Sequence, residues 1–541
     1  MLLSEDGTGH EGLNEDAPLL ATPQTSSPKT HPSFIPDALR AKSPRTILIL
    51  LFSTVFILSF GGYLMAIPTV RVYEDILCHL YYEKLGGEVT RPDGSIDESL
   101  CKVDEVQKQL NILIAVLQSL SAGTGLILTI PYGIIADRVG AKFIFILSIT
   151  GLVLAGIYNF TILYFWKTFP IHLMWLSPII TILGGGQFVT NMMFYALGSS
   201  VSTDANRYLI PTPRKNFLTE LRGTVFLYAQ CVGLISAMIA PTVASVLMVR
   251  TPWIPLVLGL VLLAMGIIPT LFIPETVRSA PAIAEVFTEN TSEGSFSLRK
   301  RASFFISLKS NIVDVIRRLY ESSSVLHSLP ILLLLIPFII EPYILTNYEL
   351  SNLSLRYISK RFEWKLSETG FLLSVRAFIN IILFAVILPA ISHLLTDKLH
   401  FSAKQKDLYI AQVSAILLVV GALLMSGPTI GSSISGLVVM TLGSGCTSVV
   451  RALITTLVDR EHVARLYAAV SIVETSSSLL ANPILATFYA IGLKWKGVWI
   501  GLPFFIVSII CFAGGSGLWS FGLLKTEQEE ASFEDTDCTE Q

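Results

Sequence analysis

Long apolar runs, each about one bilayer thick, alternate with short polar connections along nearly the whole chain. A helix crossing a hydrocarbon core needs roughly 20 mostly apolar residues. By that measure about twelve segments qualify, near 46–70, 109–135, 142–163, 171–199, 222–248, 253–273, 327–348, 367–394, 407–427, 432–457, 464–491 and 497–523. The pattern predicts an all-α integral membrane protein embedded in a lipid bilayer. The first run starts only after a long polar head, which does not fit a cleavable signal peptide.

The polar stretch 277–326 divides these segments into two sets of six, a bundle at 45–276 and a bundle at 327–523. Within the divider, Phe304, Phe305, Ile306, Leu308, Ile312, Val315, Ile316 and Leu319 recur at helical spacing beside Arg317 and Arg318, as in an amphipathic helix. Residues 1–44, rich in Ser, Thr, Pro and acids, read as a disordered tail, and 524–541 as an acidic one. The two bundles echo each other. Leu183-Gly-Gly-Gly186 matches Leu442-Gly-Ser-Gly445, Asp204 matches Asp459, Arg222 matches Arg465, and Ala240-Pro241 matches Asn482-Pro483 at helix-packing positions, always in the same order. Parallel repeats of six helices build transporters with a site at the interface between the halves.

Of 541 residues, 52% are hydrophobic and 14% charged, well below the roughly 25% charged of soluble domains. A net charge of -2 gives no case for nucleic acid. Basic residues concentrate at Lys29 to Arg45, Arg138 and Lys142, Arg207 to Arg222, and Arg278 to Arg318, which places those loops and both termini in the cytosol. Cys78 and Cys101 then share the first outward loop, in an oxidising space. They are a disulfide or two free thiols. Glu15-Asp-Ala-Pro-Leu19-Leu20 fits an acidic dileucine sorting pattern or is chance in a polar tail, and Asn352-Leu-Ser354 is an outward glycosylation sequon.

The polar turn Gly133-Ile-Ile-Ala-Asp137-Arg138-Val-Gly140-Ala-Lys142 joins the second and third apolar runs. It resembles the signature of the major facilitator superfamily of secondary transporters. Ile135 replaces the usual Leu, and Ala141 and Lys142 stand where two arginines are usual. Pro274-Glu275-Thr276 is similar to the family's ending of the sixth span. Arg71-x-x-Glu74-Asp75-x-x-Cys78, Cys101-Lys-Val-Asp104, Ser359-Lys-Arg-Phe-Glu-Trp364 and Leu372-Leu-Ser-Val-Arg376-Ala377 resemble a fungal branch that includes metabolite exporters. The resemblance implies two pseudo-symmetric six-helix bundles and a cytosolic gate at Gly133, Asp137, Arg138, Gly140 and Lys142. Ser236-x-x-x-Ala240-Pro241-x-x-Ala244-Ser245 keeps small residues where family antiporters carry glycines, and Ile180 and Thr181 replace the Arg usual before the fourth-span glycines.

Charge inside a membrane is costly and marks pathways or pairs. Glu341, Arg376 and Glu474 fall within apolar segments of the second half. Glu341 and Arg376 sit at similar depth and form either a structural ion pair or a substrate or proton site. Glu474 has no base near it in its own segment, so it is expected as a lone acid and the leading proton carrier. Gln187, Asn191 and Arg451 complete the candidate site, with Arg451 facing an anionic substrate or Asp459. A cavity with few fixed charges suits a moderately apolar organic molecule.

No His-x-x-x-His, Cys-x-x-Cys or Gly-x-x-x-x-Gly-Lys-Ser/Thr pattern occurs, so no metal, cofactor or enzymatic chemistry is expected. The reading is a monomeric, proton-coupled secondary transporter that exports a small organic molecule across the plasma membrane. Uptake, loading of the vacuole, and a non-transporting sensor of the same fold are the alternatives.

Overall fold

The computed structural model describes residues 44–86, 96–209, 215–274, 329–340, 343, 348–457 and 463–539. Expectations resting on Glu15, Leu19 and Leu20, on the amphipathic segment of 277–326, on Glu341 and on Asp459 lie outside these residues. Every element among the described residues is helical, since a helix satisfies its backbone donors and acceptors internally where no water can. Eleven of these helices are long and apolar enough to cross a membrane.

The first half contains α1 (Pro44–Leu85), α2 (Asp104–Val139), α3 (Ala141–Tyr164), α4 (Gly186–Leu209), α5 (Lys215–Met248) and α6 (Trp253–Met265, carried on by Ile267–Leu271). The second contains α7 (Leu329–Ile340), α8 (Tyr348–Phe362), α9 (Leu366–Ile382, carried on through Leu383–Ile387 and Leu388–Asp397) and α10 (Ala403–Met425). It ends with α11 (Ile430–Leu442), α12 (Cys446–Thr455), α13 (Val463–Trp495) and α14 (Leu502–Thr539). Cys101 precedes α2 and Gly140 follows it, so the two mark opposite ends of the bundle, the disulfide face and the turn face.

Three boundaries differ from expectation. Helix α1 runs to Leu85, well past the expected end near 70, and so carries Cys78. The stretch between the seventh and eighth spans, expected as an outward loop, contains α8, whose Leu353, Arg356, Tyr357 and Ile358 are buried. Helix α14 continues to Thr539, well past 523, because Leu, Lys, Gln, Glu and Ala are strong helix formers whether or not lipid surrounds them.

The internal repeat has a structural counterpart. The fourth span approaches through the short helical turns Ser177–Ile180 and Thr181–Leu183, breaks at Gly184 and Gly185, and resumes as α4. The tenth span breaks at the tighter turn Gly443–Gly445 between α11 and α12. A Cβ on Gly184 would stand 2.6 Å from the Leu147 carbonyl of α3, and one on Gly443 2.8 Å from the Ser414 carbonyl of α10. The glycines thus let backbone meet backbone. Pro241 and Pro483 lie inside α5 and α13. Ala240 and Ala244 are fully buried against Leu64 of α1, and Asn482 is buried on α13.

Candidate functional site

On α4, Gln187, Asn191 and Tyr195 recur every four residues and so share one helical face. All three are exposed. The Gln187 amide donates to Asn191 Oδ1 at 3.0 Å, and Gln230 of α5 donates to the Tyr195 hydroxyl at 3.3 Å. Tyr195 lies within electrostatic reach of Arg451 on α12, in the other half. The polar row of the first half thus ends, at Tyr195, close to the charged cluster of the second.

That cluster is built by three helices. Arg451 of α12 forms an ion pair with Glu474 of α13. The guanidinium also sits over the Phe338 ring of α7, 5.5 Å from its centroid, where the ring's negative face attracts a cation. One turn beyond Glu474, the Ser477 hydroxyl donates to the Ile339 carbonyl at 2.6 Å and fixes the face of α13 toward α7. The side chains of Arg451 and Glu474 are 37% and 24% exposed, so the pair is partly open to solvent or a ligand. The lone acid expected at 474 is therefore corrected to a paired one. Its partner is distant in sequence, and the helical break at Gly443–Gly445 separates α12 from α11 on the way to that position.

Arg376 on α9 lies within electrostatic reach of Tyr63 of α1, again between the halves. Its expected partner, Glu341, lies outside the described residues. Asn352 falls on α8, where its side chain is likewise outside them.

At the turn face, Gly140 has φ of 111°, a conformation that favours glycine. It ends α2 and starts α3 in one residue. Lys142 Nζ donates at 2.8 Å to the carbonyl of Leu271, at the end of the sixth span. A cation there complements the helix dipole and an unfilled acceptor. Gly133 lies against Met192 of α4. Asp137 and Arg138 occupy the last turn of α2, and their side chains are outside the described residues.

At the disulfide face, Cys78 is bonded to Cys101, with Cα atoms 5.2 Å apart. Buried Glu74 accepts from Lys102 Nζ at 2.7 Å and from Gln107 at 2.6 Å. Contacts between the halves gather here. Lys360 of α8 pairs with Asp104 at 2.7 Å, and Asn111 of α2 donates to the Ala486 carbonyl of α13 at 2.7 Å. Arg356 donates to Asn111 at 3.3 Å, and the Thr242 hydroxyl donates to that of Ser374 at 2.7 Å. Burial lowers the Arg356 guanidinium to about 10, against the opposing pull of Tyr489 and Glu74, so it stays charged at neutral pH. A cavity of about 20 Å³ between Asn111, Gln118, Arg356 and Asn482 has room for little more than a water. Sequence reasoning missed Glu98, Asn111 and Arg356. Each finds its partner in the other half, far away in sequence.

The profile of the Major Facilitator Superfamily matches residues 214–482. The MFS efflux pump atnC of Emericella nidulans is 28% identical over 532 residues, covering 96% of this chain and 95% of its own length. The efflux pump ustT of Aspergillus flavus is 24% identical, covering 86% of this chain and 87% of its own. Among solved structures, the nucleoside transporter NupG superposes with a TM-score of 0.54 at 12% identity, over 89% of this chain and 99% of its own. A D-xylose-proton symporter gives 0.54 at 12%, over 88% and 97%. The helical architecture, the repeated halves and the turn at Gly140 agree with these likenesses: the chain has the fold of the major facilitator superfamily and is similar in sequence to its fungal transporters.

Proposed function

We propose that the protein is a proton-coupled exporter of small organic molecules that works by alternating access between its two halves. The observation that carries this reading is the Arg451–Glu474 pair, partly exposed and opposite the polar row of α4. With Glu474 charged, the pair offers the substrate an acceptor in the carboxylate and donors in the Arg451 guanidinium. A proton taken up by Glu474 removes that acceptor and displaces the substrate, and its loss restores the site. Proton and substrate thus compete for one carboxylate, as counter-transport requires.

The distribution of basic residues supports a cytosolic turn face and cytosolic termini. With the disulfide face held together and the α4 row exposed, the arrangement suits a carrier open toward the cytosol. The names of the two fungal relatives support export, and the plasma membrane is the corresponding location. Gln187, Asn191 and Arg376 serve as further substrate contacts, and a single chain contains the whole pathway. Comparing metabolites inside and outside cells that lack the protein tests the direction. Export predicts a compound that accumulates inside and declines in the medium, and the opposite change would indicate uptake.

A further inference from the structure

The N-terminus of α9 takes a hydrogen-bond acceptor from the other half of the molecule. Leu366 is the first residue of α9, and its backbone N–H has no acceptor within its own helix. It donates to Glu98 Oε1 at 2.7 Å. Glu98 lies on the short turn Glu98–Lys102, before α2, in the first half. The same carboxylate accepts from Lys102 Nζ at 3.2 Å and pairs with Arg71 Nε at 3.4 Å. Cys101, inside that turn, is bonded to Cys78 of α1. Lys360 of α8 also donates to the Lys102 carbonyl, so the turn is gripped from the second half at two points.

We propose that Glu98 is a positioning residue of the transport cycle: it caps α9 across the interface, and the disulfide-anchored turn is the latch that closes the disulfide face. A negative carboxylate at the positive end of a helix is a favourable and directional contact. The contact exists only while the halves meet. Separation returns the Leu366 N–H to water and leaves Glu98 with Lys102 and Arg71 of its own half. The latch therefore biases the closed arrangement without touching the Arg451–Glu474 site.

This inference rests on alternating access, and one experiment separates the two. Spin labels at Lys108→Cys on α2 and Lys494→Cys on α13, with Cys231, Cys446, Cys511 and Cys538 replaced by serine, report the separation of the halves at the disulfide face. The full chain is reconstituted in lipid at several pH values, which should give a short and a long distance in changing proportion. A single unchanging distance would contradict alternating access itself. If both populations occur, Glu98→Ala should raise the long-to-short ratio about tenfold, the effect of losing a good helix cap. Glu98→Gln, which keeps an acceptor oxygen, should raise it less. Leu366→Pro removes the N–H at a position proline tolerates and should shift the ratio beyond Leu366→Ala, which keeps it. Unchanged ratios in Glu98→Ala, together with equal ratios in the two Leu366 variants, would overturn the latch. The Leu366 pair decides the matter alone if Glu98→Ala does not fold.

Discussion

An arginine and a glutamate inside a helical bundle each carry a desolvation cost that the other offsets. Arg451 and Glu474 are in that position, with Phe338 beneath the guanidinium. Removing one partner leaves a charge without compensation. Arg451→Ala or Glu474→Ala alone should lower stability by about 1–2 kcal/mol, less than a fully buried pair because the arginine is more than a third exposed. The double variant should lose less than the sum of the two. Thermal unfolding of the purified proteins measures this, and additive losses would show that the pair does not act as a unit. Single residues were legible in the sequence where their chemistry is local. Cys78 and Cys101 lie between the first two apolar runs, so their proximity could be read, although Cys78 belongs to α1 rather than to a loop. Glu474 could not be read correctly, because its partner lies 23 residues back on another helix. Glu98 and Leu366, 268 residues apart, gave no local sign of each other.

At the scale of elements, glycine decides where helices break and how closely they pass. Gly140 holds a backbone conformation that side chains disfavour. Gly140→Ala should cost about 1–2 kcal/mol. Gly184→Ala places a methyl group against the Leu147 carbonyl and the Ser148 Cα of α3, both backbone atoms that cannot step aside. Its cost should exceed that of Gly140→Ala and reach roughly 3 kcal/mol, with α3 and the fourth span forced apart. Melting temperatures of the two variants test the order, and equal or reversed losses would mean the contact is looser than described. The glycine repeats were visible in the sequence, and so were most of the apolar spans, since their period and length follow directly from bilayer thickness. Helix α8 was hidden. Its buried face is set by packing against the disulfide end of the bundle, and a segment containing Arg356, Lys360 and Arg361 reads as solvated until its partners are known.

For the whole molecule, duplication gives two similar bundles, with polar groups of α4 in the first within electrostatic reach of the charged cluster of α12 and α13 in the second. The disulfide face is tied by ion pairs and hydrogen bonds between the halves. That architecture suits a carrier whose halves tilt against each other, and the exchange of proton for substrate at Glu474 is its central step. It is tested most directly by flux into sealed proteoliposomes. Inside-out vesicles holding the protein are loaded at acidic pH, bathed in a neutral metabolite extract, and analysed for compounds captured within. Counter-transport at Glu474 should give a compound enriched by the wild-type protein, lost when the pH gradient is collapsed, and no longer gradient-dependent in Glu474→Gln. Enrichment that persists without the gradient, or that responds to it equally in Glu474→Gln, would contradict it.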